Sequence, residues 1–311
     1  MSFIKSKQII AGAAIALAMA ASGAQAGQVI TSTNGLASIG VQDLGALGFG
    51  SVGVSFAGNG DGIMPGCLCE GWGASGNGVA GWSANDNGGN VNVSLASALQ
   101  GAGFLTSVVN VGALQVTQAY AASAASGALI RDHVTLTNTS GATMTDARYS
   151  RSMDWDIPPT TFSELVTIGG VGATRLKFSN DNGFATPNPL SNPGSLVGGT
   201  TNVNFVRSGP SDHGAFFTFG FGDLLAGASV SFDIFYGAAS NEALALAALG
   251  DVGAEVYSLG ENNRTSKDGV TYAFGFAGVG GTSIGHVPEP GSMALFGLAF
   301  AGLAWNRRRK V

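Results

Sequence analysis

Charge is scarce in this chain, and its distribution is uneven. Only 11% of the 311 residues are charged, and just 14 are Lys or Arg. Six of those (Lys5, Lys7, Arg307, Arg308, Arg309 and Lys310) lie in the two terminal segments, so residues 27–287 carry 8 bases against 18 acids. Such an acidic surface repels phosphate backbones and anionic headgroups, which argues against nucleic acid as a partner. Histidine is rarer still: His133 and His213 lie in the central region and His286 near the C-terminus. No H-E-x-x-H occurs, so the zincin arrangement is missing. Ser211-Asp212-His213 are adjacent, and adjacent side chains point apart instead of converging as a triad. There is also no repeat of fixed period, no interdomain linker and no regular threonine array of the kind an ice-adsorbing face needs.

Cysteine is nearly absent. Cys67 and Cys69 are the only two, separated by one residue. Three chemistries fit that spacing. A local disulfide locking a tight turn is the first, although an extended chain would place the two Cα atoms about 7 Å apart. Reduced or intermolecularly paired thiols are the second. The third, a metal or redox pair, lacks the C-x-x-C spacing of thioredoxin-like sites.

Glycine is abundant, at 50 residues, alongside 18 Phe, 4 Trp and 5 Tyr. The aromatics provide too much apolar surface for a disordered glycine-rich chain. Alternating segments recur between turn signals, at residues 52–56, 91–95, 134–137, 216–221, 230–236 and 272–276. That pattern predicts a mainly β protein, an antiparallel β-sandwich, in one domain over residues 27–285. One stretch breaks the period. Residues 240–249 (SNEALALAAL) predict a short α-helix with Ser240 or Asn241 as N-cap and Gly250 as its stop, continued unevenly through 255–257. The Asn-, Pro- and Gly-rich stretch 180–201 reads as a long surface loop.

Apolar runs are confined to the two ends. Residues 1–26 have the form of a Sec signal peptide, with Lys5 and Lys7 before an apolar helix at 9–21. Ala24-Gln25-Ala26 is the small-x-small cleavage site, so the mature chain starts at Gly27 and the Sec translocase is the implied partner. Residues 286–311 combine Val287-Pro288-Glu289-Pro290, an apolar helix at 293–305 and the basic tail 307–310. Thirteen residues rise about 20 Å as a helix, short of the roughly 30 Å hydrocarbon core. Cations after the run hold the last residues on the cytoplasmic side.

This three-part tail resembles the PEP-CTERM sorting signal of exported bacterial proteins, whose processing enzymes are exosortases. The resemblance implies transient inner-membrane anchoring in a Gram-negative bacterium, cleavage near Val287–Pro290, and delivery to the cell surface or matrix. Residues 148–168 resemble a segment of uncharacterised PEP-CTERM proteins with the pattern RYxRxMDWDIPPTxFxExVTI, and 66–73 and 252–260 resemble further blocks of that set. No activity accompanies the likeness.

Residues 146–160 hold the densest chemistry. As a strand, one face carries Asp146, Arg148, Ser150, Ser152, Asp154 and Asp156, and the other Ala147, Tyr149, Arg151, Met153, Trp155 and Ile157. The second face reads as core, with Arg151 needing a partner, and Pro158-Pro159 end the ladder. Asp154 and Asp156 are candidate ligands for Ca²⁺, completed by Asp132, Glu164 or a loop carbonyl. The competing reading pairs them with Arg148 or Arg151, or has them cap the turn. Functionally, the expectation is a non-enzymatic, structural or exopolysaccharide-associated protein of the envelope or matrix. The alternatives are a secreted polysaccharide hydrolase using carboxylates such as Asp154 and Glu164, and, more weakly, an ice- or surface-adsorbing protein.

Overall fold

The computed structural model describes residues 26–262 and 269–285. All but the last residue of the expected signal peptide (1–26), the sorting motif and the expected apolar segment at 293–305 lie outside those residues. Among the described residues no helix is long and apolar enough to cross a membrane.

Side chains alternate across a strand, so period-two sequences place every second residue against a partner sheet. Along Leu114–Ala122 the buried set is Leu114, Val116, Gln118 and Tyr120, and along Phe104–Val111 it is Leu105, Ser107, Val109 and Val111. The largest sheet has nine antiparallel strands. Their spatial order is Phe205–Ser211, Glu164–Gly169, Val256–Glu261, Thr271–Ala277, Ser229–Ala239, Leu129–Asn138, Leu114–Ala122, Phe104–Val111 and Ser94–Gly101. A six-stranded sheet opposes it, ordered Leu176–Asn180, His213–Leu224, Met144–Trp155, Glu70–Gly76, Val79–Ala84 and Asn90–Val91. A third, small sheet (Gly27–Thr31, Ala37–Gln42, Val54–Phe56, Gly60–Asp61) adds Ile30, Ile39, Val41 and Val54 to the same core.

Aromatics bridge the two large sheets. Phe217 meets Phe276 edge-on at 5.3 Å and Phe219 lies 4.6 Å from the same ring, while Tyr149 meets Phe232 at 5.1 Å. Large rings fill the gap between pleated faces that lie about 10 Å apart, each contributing roughly 1.5–3 kcal/mol by burial. The fold is therefore the expected mainly β, antiparallel sandwich with a single short helix among the described residues.

Several boundaries differ from the sequence expectation. Residues 91–95 form no continuous strand, because Asn92 adopts a left-handed φ of 51° and splits the run into Asn90–Val91 and Ser94–Gly101. The segments around 216–221 and 230–236 belong to different sheets, so the short connection between them crosses the sandwich. The helix spans Glu242–Asp251, with Asn241 as N-cap accepting from the Leu244 N–H at 2.9 Å. Gly250 lies inside the last turn; the chain turns at Gly253 (φ 67°), and 255–257 leads into the strand Val256–Glu261 instead of more helix. Leu249, Ala245 and Ala248 seat the helix on Leu129, Phe235, Leu259 and Ala273 of the nine-stranded sheet.

The stretch 180–201 is a cover more than a free loop. Ser150 Oγ donates to the Pro187 carbonyl at 2.5 Å, and Asn87 links Ser152 (2.9 Å) to the Ala185 carbonyl (3.1 Å). Gly73 permits this approach: a Cβ there would stand 1.9 Å from the Pro187 oxygen. Residues 149–157 are consequently buried on both faces.

Candidate functional site

Met144–Trp155 lies inside the six-stranded sheet, with neighbours on both sides. Its register sets Arg151 opposite Trp72, Asp154 opposite Gly214 and Trp155 opposite His213. Two groups of charge sit on this one strand. They differ in nearly every respect.

The first lies within the sandwich. Arg151 is fully buried and ion-paired to Glu70, which is also buried. Its guanidinium reaches Gln118 Oε1 and the hydroxyls of Tyr149 and Tyr120 at 3.3–3.4 Å, and lies 5.3 Å from the centre of the Tyr236 ring. Burial pushes the Glu70 carboxyl up, while the Arg151 charge and the Leu47 N–H (2.6 Å) pull it down. Asp132 belongs here too. Burial raises its pKa to about 7, against the pull of Arg151 and Tyr120, with Asp233 and Glu70 adding to the rise. Asp132 is therefore excluded as a completing ligand for Asp154 and Asp156, because it is drawn into the sandwich on the inward face of Leu129–Asn138.

The second group lies at the strand's end. Oxygens of Asp154, Asp156 and Asp212 all fall within 4.8 Å of one another. Asp154 and Asp156 are each 1% exposed, whereas Asp212 is partly exposed with its Oδ1 buried. Neither oxygen of Asp156 has a hydrogen-bond partner, and Asp154 Oδ1 and Asp212 Oδ1 have none either. Nor does any ion pair among the described residues reach the three. Arg148 turns to Asp146 (2.6 Å) and Arg151 to Glu70, so the alternative in which arginines neutralise Asp154 and Asp156 is not the arrangement found.

Burial and mutual repulsion dominate this cluster. Asp154 is pushed up to about 9 by desolvation, then by Asp156, Asp212 and Glu164. Asp156 rises to about 7 by burial, with Asp212 and Asp61 adding to it. Burial raises Glu164 to about 8, opposed by its acceptance of the His213 and Ser163 N–H groups at 3.1 and 3.0 Å. Asp61 is occupied by the turn it closes, accepting from Gly53, Val54, Ile63 and Met64. The cluster is built by close backbone packing: Gly214, paired with Asp154, has no room for a Cβ, which would stand 2.0 Å from the Met153 carbonyl.

His213 takes no part in a serine triad. Its Nδ1 pairs with Asp181 at 3.0 Å, and both residues are buried. Burial alone would raise Asp181, yet donors from His213, Val197, Leu196 and Thr200 outweigh it and hold the carboxyl below its usual range. Far away in sequence but adjacent in space to the acidic group, Cys67 and Cys69 are joined by a disulfide with Cα atoms 5.2 Å apart, and the Cys69 carbonyl accepts from the Asp154 N–H at 2.9 Å. Compression from the 7 Å of an extended chain follows from the tight turn, in which the Cys69 N–H bonds the Cys67 carbonyl.

Sequence reasoning missed Asp212, which is 56 positions from Asp156 and reaches it only through strand pairing. It also missed a polar row on the outward face of the nine-stranded sheet. Register aligns Thr117, Thr135 and Ser231, and beside them Gln115, Thr137 and Ser229; Thr135–Ser231 and Thr137–Ser229 are hydrogen-bonded at 2.8 Å.

Comparison with known proteins places one part of the chain. Residues 286–309 match the PEP-CTERM protein-sorting motif. The motif indicates an exported protein that is transiently anchored in the membrane, processed by an exosortase and sorted to the cell surface. A search of curated proteins finds no match to the chain.

Proposed function

We propose that the β domain is a non-enzymatic component of the envelope or extracellular matrix of a Gram-negative bacterium, associated with extracellular polysaccharide. In this reading Sec delivers it, signal cleavage after Ala26 frees Gly27, and an exosortase cuts near Val287–Pro290. The observation that carries it is the sorting motif at 286–309, which begins shortly after the last strand, Thr271–Ala277. The uncharged hydroxyl and amide face formed by Gln115, Thr117, Thr135, Thr137, Ser229 and Ser231 suits a hydroxyl-rich polymer, which exchanges hydrogen bonds with such groups without desolvating charge.

The hydrolase alternative rests on Asp154 and Glu164. A glycosidase needs one carboxyl protonated and its partner ionised, set apart on either side of the scissile bond. Here both groups are pushed up, to about 9 and about 8. Both members of this pair are pushed the same way and nothing separates them into an acid and a base, which favours the non-enzymatic reading. The adsorption alternative has only two short rows of hydroxyls to support it, far from an extended regular array.

Cosedimentation of the exported protein with the producing strain's own polysaccharide tests the proposal. The expected outcome is retention in the pellet with no new reducing ends. Release of reducing sugar, lost in Asp154→Asn and Glu164→Gln, would overturn it. Mass spectrometry of the mature chain checks the processing: a surviving Arg307–Arg309 segment contradicts exosortase cleavage.

A further inference from the structure

We propose that Asp154, Asp156 and Asp212 form a calcium site that ties the end of the Met144–Trp155 strand to the turn entering His213–Leu224. Three carboxylate oxygens within 4.8 Å of one another match the geometry of one bound ion. Oxygens sharing a calcium lie within about 5 Å of each other, twice its 2.3–2.6 Å bond length.

The second, independent observation concerns satisfaction. Asp156 is 1% exposed and both of its oxygens lack any hydrogen-bond partner, with one oxygen directed at the other two carboxylates. Buried polar atoms are almost always paired, and an orphaned carboxylate is among the costliest exceptions. Three acids sharing one end of a strand, with no cation from the described side chains, leave room for one from outside. An all-oxygen donor set selects hard ions. Calcium tolerates irregular geometry and completes six to eight ligands with carbonyls and water, whereas magnesium demands a near-ideal octahedron. The partly exposed Asp212 gives the ion its entry path and leaves its outer ligands to water.

The location adds a consequence for maturation. Extracellular calcium sites function with dissociation constants of about 10⁻⁴–10⁻³ M. Such a site fills once the chain has left the cytosol, so the strand end becomes fixed after export and the surface form is the stable one.

The test uses the exported protein, stripped with EGTA and dialysed. Calcium at roughly a hundredfold excess over Kd should raise the Tm by about 5–10 °C. Terbium substituted for calcium should show luminescence sensitised through Trp155. Asp212→Asn, an isosteric change at the partly exposed member of the cluster, should abolish both signals. Asp156→Asn should abolish them too while raising the cation-free Tm, since it replaces an unpaired buried carboxylate with a neutral isostere. An unchanged Tm and no terbium signal at roughly 10 mM cation, well above the expected Kd range, would overturn the site. A full calcium response retained by both variants would refute the assignment to these residues, and an equal or larger shift with magnesium would refute the choice of calcium.

Discussion

Two groups of buried charge lie three residues apart on a single strand, and they answer burial in opposite ways. Arg151 and Glu70 are enclosed between the sheets, oppositely charged and mutually paired. Asp154 and Asp156 are just as inaccessible, of one sign, and without an ion-pair partner among the described residues. Position explains the difference. Between the sheets the countercharge to Arg151 is part of the chain, Glu70, and both residues are fully buried. At the strand's end the partly exposed Asp212 connects the group to solvent, and the countercharge can be borrowed.

The contrast can be broken from either side. The largest expected effect comes from Arg151→Met, which strands Glu70 in the core and should cost about 3–5 kcal/mol by denaturant unfolding. Adding Glu70→Gln should restore most of it, because the unpaired charge, more than the missing pair, carries the penalty. Should the double variant prove as unstable as the single, the pair would be contributing net attraction.

Asp132 supplies the next effect through pH. Its folded pKa is raised to about 7, so the protonated form is favoured on folding. The associated stability is fully present below the unfolded pKa of about 3.9 and is lost as pH rises towards and through 7. Asp132→Asn should therefore be more stable than wild type above pH 7, by on the order of 2–4 kcal/mol, and about equal to it near pH 4. A stability difference that stays flat from pH 4 to 8 would show that Arg151 already neutralises this carboxylate.

At the other group, Asp156→Asn in cation-free buffer should stabilise by on the order of 1–3 kcal/mol, opposite in sign to Arg151→Met, with thermal unfolding as the readout. Finally, Asn241→Ala removes the helix cap far from both groups and should cost about 1 kcal/mol without altering any pH or cation dependence. A cation response that shifted with this variant would mean the two charge groups are not the local features described above.

Much of the architecture was legible along the chain. Alternation at 134–137, 230–236 and 272–276 marks real strands, and the alanine-rich run after Asn241 marks the helix, because these patterns depend only on which face each residue presents. The core face of residues 147–157 was legible for the same reason, and so was the need of Arg151 for a partner. The identity of that partner was not, since Glu70 is 81 positions away and meets Arg151 only when Glu70–Gly76 pairs beside it. Period-two logic separates the two faces of that strand but does not say what covers the polar one. It could not anticipate that 180–201 folds back as a lid of backbone carbonyls over Ser150 and Ser152.

By itself, the sequence determined the sorting itinerary, the β class, the acidic balance and the pairing of an apolar with a polar face along Met144–Trp155. These are properties of composition and short-range period, which need no knowledge of what packs where. Only the tertiary structure decided which acids meet. Asp132 was drawn inward to Arg151, while Asp212 was brought by strand register to Asp154 and Asp156. Whether a buried carboxylate is neutralised by an arginine, a proton or a cation depends on distances of a few ångströms between residues far apart in the chain, and sheet pairing sets those distances.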